Sequence, residues 1–306
     1  MSPTRSRIVV PPGFSLPSTI RSHGWCSLLP FTTDRDHSVL GFGFVSREGR
    51  AIRCTVRSTS GALLIDMLGD RPLTPSERRS ATEVVRSCLR LDEDFEGLLA
   101  LARRTPRLRW IAARGAGRML RAPTAFEDAV KMICTTNCTW SLTTAMVGSL
   151  VRLYGDPLPG GGNAFPRPEV LAAAGAAALR RDAKLGYRSP FVAAFAAQVA
   201  EGSLDPEGWR NWGGDTAELV AGMRRVKGIG PYAAENLLKL AGRYGHLGLD
   251  SWVRKRYAEL RHGGRRVSDR TIERAYAGFG DWKGLVFWLE MTREWYDRKF
   301  PAGGAP

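Results

Sequence analysis

No apolar run in this 306-residue chain is long enough for a signal peptide or a membrane span, which points to a soluble, cytoplasmic protein that needs no membrane. Cysteine is sparse. The five present, Cys26, Cys54, Cys88, Cys134 and Cys138, are odd in number and scattered, which implies reduced thiols rather than a disulfide framework. Cys134 and Cys138 have a spacing that suits two metal ligands, but no second Cys or His pair lies nearby, so no structural zinc or other metal is expected. There is no internal repeat and no long low-complexity tract. Acidic side chains are also in deficit: 30 Asp and Glu face 45 Lys and Arg, a formal charge of +15 and a pI near 10.2. A polyanion is the simplest partner for such a chain, because neutralising phosphates drives sequence-independent nucleic-acid binding. The excess is uneven, with 13 basic and 10 acidic residues before position 96 and 32 and 20 after it.

The chain changes character near residue 95. Before it, β-rich runs at 38–45, 51–56 and 61–66 are separated by turn residues, and 74–91 has helical spacing. Residues 1–95 therefore read as a small α+β domain with an antiparallel sheet. Residues 96–306 read as helical, with helices expected near 126–135, 140–154, 168–174, 190–201, 216–225, 231–243, 251–261, 269–277 and 283–296. The whole is mainly α.

The most informative stretch is Val226-Lys227-Gly228-Ile229-Gly230-Pro231-Tyr232, followed downstream by Asp250. Two glycines around one aliphatic residue permit a sharp turn and close backbone approach. Pro231 suits the first turn of a new helix. Apolar spacing on both sides gives helix, tight hairpin, helix. Free amides at the start of the second helix, with the positive end of its dipole, form an anion site, and Lys227, Arg224 and Arg225 add charge. Taken singly, the glycines also fit a plain helix cap and Asp250 the N-cap of a helix at 251.

Hairpin and acid together resemble the helix-hairpin-helix DNA glycosylases, most nearly the bacterial 3-methyladenine DNA glycosylase II enzymes. The likeness covers about residues 98 to 296 and, more loosely, the α+β part. It implies base excision repair of duplex DNA by a monomer in the nucleoid, with Asp250 as the catalytic carboxylate. No cysteine follows Cys138, so the iron–sulfur cluster of some relatives is not expected. The resemblance does imply a monovalent cation between hairpin carbonyls and phosphate. Three further motifs follow the family order. Asn137 lies in the loop that fills the gap left by an extruded base, or else caps the helix at Trp140. In Gly186-Tyr187-Arg188, Tyr187 would wedge the stack and Arg188 read the orphaned partner base. In Gly284-Leu285-Val286-Phe287-Trp288, Trp288 would stack on the lesion, unless it is a core residue. Gly284 stands where 8-oxoguanine enzymes carry a glutamine that reads the base.

Tyr232 is the decisive departure. Relatives that also cut the strand have a lysine there, since a Schiff base with the sugar requires an amine. A phenol makes none. The expectation is therefore hydrolysis alone, acting on alkylated purines whose positive charge already makes them leaving groups. Tyr232, Trp252, Trp288 and Trp140 are the candidates for an aromatic pocket around that cation. Lys227, Gly228, Gly230, Asn137, Tyr187, Arg188 and Arg254 are the candidates for DNA contact. The run Arg254-Lys255-Arg256 equally fits a solvated helical face. An 8-oxoguanine-type glycosylase and a non-catalytic DNA-binding protein are the two rival readings.

Overall fold

The computed structural model describes residues 3–297. Five antiparallel strands, β1 (Thr4–Val9), β2 (Thr32–Thr33), β3 (Val39–Val45), β4 (Ala51–Thr59) and β5 (Ala62–Leu68), form one sheet in the order β1-β5-β4-β3-β2. Alternation sets its inner face: Leu40, Phe42, Ile52, Cys54, Val56, Leu63, Ile65 and Met67 are all buried. The three long strands follow the sequence expectation. β1 and β2 escape it, β1 because Thr-Arg-Ser-Arg carries almost no apolar signal and is held as an edge strand by pairing with β5.

Among the described residues there are fifteen α-helices: α1 (Leu16–Ile20), α2 (Pro75–Cys88), α3 (Glu96–Arg104), α4 (Arg109–Arg114), α5 (Ala125–Thr135), α6 (Trp140–Tyr154), α7 (Pro168–Arg181), α8 (Ser189–Ala200), α9 (Glu207–Arg210), α10 (Thr216–Arg225), α11 (Pro231–Leu240), α12 (Ser251–His262), α13 (Asp269–Tyr276), α14 (Lys283–Met291) and α15 (Arg293–Asp297). Side chains set several boundaries. Thr74 and Glu77 close a reciprocal capping box at α2, and Thr124, Thr139 and Asp215 cap α5, α6 and α10. The helix expected to end at residue 174 continues to Arg181, with Gly175 at φ 70° marking the break the sequence suggested. The single helix expected over 283–296 is two, parted at Thr292.

The segment between α1 and β2 joins sheet to helices and so shapes the site. Ser18 Oγ donates to Arg114 O at 2.7 Å, Ser22 Oγ accepts from Leu120 N at 2.9 Å, and Trp25 Nε1 donates to Asp128 Oδ1 at 2.7 Å. Asp128 is itself fixed by Ala122 N at 2.9 Å and by Arg210 at 2.6 Å, so the buried carboxylate is fully paired and Trp25 is held on a rigid support. Apolar side chains of the sheet and of the helices form one continuous core. Among the described residues no helix is long and apolar enough to cross a membrane.

Candidate active site

The hairpin forms as the spacing demands, with one refinement. Gly228 sits at φ 95°, and a Cβ there would lie 2.9 Å from the Cβ of Phe191, so only glycine fits. Gly230 is extended, φ −80°, and acts as the N-cap of α11; it supplies open backbone rather than a left-handed turn. Ile229 is buried between them and pins the turn, its N–H donating to Val226 O at 3.0 Å. Lys227 and Gly230 are exposed.

Asp250 stands in partly buried surroundings as the N-cap of α12, where Oδ1 accepts from Val253 N at 2.7 Å. The cap therefore exists, and it orients the carboxylate rather than competing with it. The preceding loop is held from behind by α11. Glu235 Oε2 accepts from Gly248 N at 2.7 Å, and the buried Lys239 Nζ donates to Leu247 O at 3.0 Å. Gly248, at φ 67°, lets the loop pass where a Cβ would come 2.5 Å from that ammonium. Burial depresses the Lys239 pKa to about 8, against the opposing pull of Glu235 and Asp250.

One cavity of about 1020 Å³ brings most of the expected residues together. Asp250, Tyr232, Trp252, Trp288 and Trp140 all line it, and Lys227, Gly228, Gly230, Asn137, Tyr187 and Arg254 border it. Tyr232 lies beside Asp250; burial first, then that negative charge, hold its phenol well above the ordinary value, so it is neutral. Trp252 stacks on Trp295 at 5.6 Å between ring centroids, and Trp288 meets Trp295 edge-on at 5.7 Å. The Trp288 Nε1 donates to Ser22 O at 2.8 Å and the Trp140 Nε1 to Ser27 Oγ at 3.2 Å, so both indoles are tied to the segment that carries Trp25.

At the rim, Asn137 adopts φ 48° and its Nδ2 donates to the Tyr187 hydroxyl at 3.3 Å. Tyr187 packs edge-on to Phe191, the residue against which Gly228 turns, which links the two motifs physically.

Arg188 is elsewhere. It is 4% exposed, bonds Thr136 O and lies 4.4 Å from the Tyr187 ring, so it braces the Asn137 loop instead of presenting its guanidinium to a partner base. Nor is the basic run on α12 a free cationic face. Arg254 grips Asp269 through two bonds of 2.8 and 2.9 Å, and Arg256 pairs with Glu294 at 2.9 Å. Gly284 also has a steric reason: a Cβ would fall 1.8 Å from the His246 carbonyl oxygen, so no glutamine can occupy that position.

Sequence reasoning missed His23, Trp25, Met119, Met132 and Trp295, which complete the cavity wall. None sits in a motif, and their shared destination depends on long-range packing. Among the described residues no group of three His, Cys, Asp or Glu side chains is arranged to hold a metal ion; Cys138 Sγ instead bonds Cys134 O at 3.2 Å.

Several solved structures match over nearly the whole chain. A 3-methyladenine DNA-glycosylase from Archaeoglobus fulgidus is 22% identical with a TM-score of 0.74, covering 94% of this chain and 98% of its own. The 8-oxoguanine glycosylase/lyase of Clostridium acetobutylicum, in complex with dsDNA containing cytosine opposite to 8-oxoG, gives 15%, 0.69, 95% and 97% in the same order. MBOgg1 in complex with a low-affinity DNA ligand gives 19%, 0.70, 95% and 95%. The fold is that of the helix-hairpin-helix DNA glycosylases. No family model and no curated protein matches the chain.

Proposed function

We propose that this protein is a monofunctional DNA glycosylase that hydrolyses the N-glycosidic bond of alkylated purines in duplex DNA. The observation that carries the reading is a lone carboxylate, Asp250, opening into an aromatic-walled cavity bordered by a glycine hairpin at the N-terminus of α11. The open amides of Gly230 and the first turn of α11, with Lys227, would grip the strand beside the lesion. The hairpin carbonyls around Lys227 and Gly230 would hold a monovalent cation shared with that phosphate, and no step of the reaction runs through it.

A base swung out of the stack enters between the indoles, whose faces attract a cation by about 0.5–2 kcal/mol per good contact. The C1′–N bond then breaks, its electron pair passing to the cationic base, which leaves neutral. Positive charge grows on the sugar, and the preplaced Asp250 carboxylate stabilises it. Water forms the new C1′–O bond and yields its surplus proton to Asp250 or solvent, leaving an abasic site. Tyr232 offers no amine at the hairpin position, Lys239 is buried on the Leu247 carbonyl, and Lys227 precedes the glycines at the cavity's border, which supports hydrolysis rather than Schiff-base chemistry. The protein acts as a single copy on DNA.

The juxtaposed Asn137 and Tyr187 favour an 8-oxoguanine-type glycosylase as the second reading. The blocked position at Gly284 and the phenol at Tyr232 oppose it. Duplexes holding a methylated purine or 8-oxoguanine separate the two when strand breaks are scored before and after alkali. Breaks only after alkali, and only with the methylated purine, support the proposal; breaks without alkali overturn its hydrolysis-only chemistry.

A further inference from the structure

His23 is 5% exposed and yet lines the cavity, on a wall that no sequence motif marks. Its ring is held firmly. Nε2 lies 2.6 Å from Leu120 O, the ring centroid is 4.8 Å from that of Trp25, and the adjacent Ser22 is bonded by both Leu120 N and Trp288 Nε1. A carbonyl oxygen only accepts, so the imidazole proton must reside on Nε2. Nδ1 is then a bare acceptor, and among the described residues nothing donates to it. Trp25 and Met119, which share this wall, offer apolar surface. Burial holds the His23 pKa near 4, with Asp128, Arg90 and Lys131 as the charged groups acting on it, so the ring is neutral at physiological pH and does not repel a cation.

We propose that His23 Nδ1 accepts a hydrogen bond from an N–H group of the extruded base, selecting alkylated adenines that keep their exocyclic amine. The inference rests on the glycosylase reading and adds the substrate class to it. A fixed acceptor rewards a base with a donor at that edge; a base presenting a lone pair there meets lone-pair repulsion and leaves Nδ1 unpaired.

Single-turnover base release from duplexes holding 1-methyladenine or 1,N6-ethenoadenine tests this, because the etheno ring removes the amine donor. His23→Phe should slow methyladenine release about 10- to 100-fold and ethenoadenine release less than about 2-fold, the size expected for one lost hydrogen bond from a cationic base. His23→Gln, whose amide can donate to Leu120 O while its oxygen accepts from the base, should restore the wild-type ratio. Thermal melting of both variants reports folding separately. Equal losses for both lesions, an unchanged ratio in His23→Phe, or no methyladenine release by the wild-type protein would each overturn the assignment. If the wild-type protein frees no base from any damaged DNA, the glycosylase reading itself fails. Release of other bases with the ratio unmoved removes only the role of His23.

Discussion

The two walls of the cavity are built in opposite ways. The wall with Asp250 and Tyr232 comes from one continuous stretch, α10 through the start of α12, whose hairpin, loop and cap are local structures. The facing wall gathers His23 and Trp25 from beside the sheet with Trp288 and Trp295 from the last helices, joined by bonds such as Trp288 Nε1 to Ser22 O, 266 residues apart. The difference separates two tasks. On the proposed reading, the groups assigned to the chemistry are written in short-range sequence, whereas the pocket that would receive the base depends on where distant segments meet. Each wall is also associated with one buried basic group of depressed pKa, Lys239 behind the first at about 8 and His23 in the second at about 4.

The largest break in this comparison should come from Asp250→Asn. Asparagine caps a helix as well as aspartate does, so melting should barely change and DNA affinity should persist. Base release in single-turnover assays should fall about 100- to 1000-fold, as for loss of a preorganised electrostatic group. Retention of activity would detach the chemistry from this wall.

Lys239→Met probes the support behind the same wall. Loosening the Leu247–Leu249 loop displaces Asp250 without touching substrate, so the single-turnover rate should drop about 10- to 100-fold while the Kd for DNA stays constant. An equal loss of affinity would show that the loop binds the strand directly.

The hairpin, the helix cap at Asp250, the three long strands and most helices were legible because each is fixed by spacing, turn chemistry or a cap within a few residues. Arg188 lies off the cavity for a physical reason. Its neighbourhood supplies a buried carbonyl acceptor, Thr136 O, that no local pattern reveals. Arg254 likewise meets Asp269, fifteen residues away on the next helix, a pairing that no local pattern reveals. His23 and Trp295 were invisible because nothing near them in sequence distinguishes a cavity wall from a core.

The paired buried bases sharpen the comparison through pH. A group whose folded pKa lies below its unfolded value leaves the unfolded chain holding more protons between the two values, so stability rises with pH across that window. For His23 the window runs from about 4 to 6.5, and for Lys239 from about 8 to 10.5. Denaturant unfolding should therefore strengthen on the order of 3 kcal/mol across each window, with His23→Gln flattening the first and Lys239→Met the second. A flat wild-type profile in either window would contradict the burial ascribed to that residue. The smallest effect belongs to the hairpin rim: Lys227→Ala should lower the slope of log affinity against log salt by about 1 and leave bound-state base release unchanged.

The most direct test of the central claim is mass spectrometry of the bases that the purified protein frees from methylated genomic DNA, run beside Asp250→Asn. The account predicts methylated purines, methyladenine foremost, in the wild-type supernatant and almost none with the variant. Free base in equal amounts from both proteins, or from neither, would contradict it.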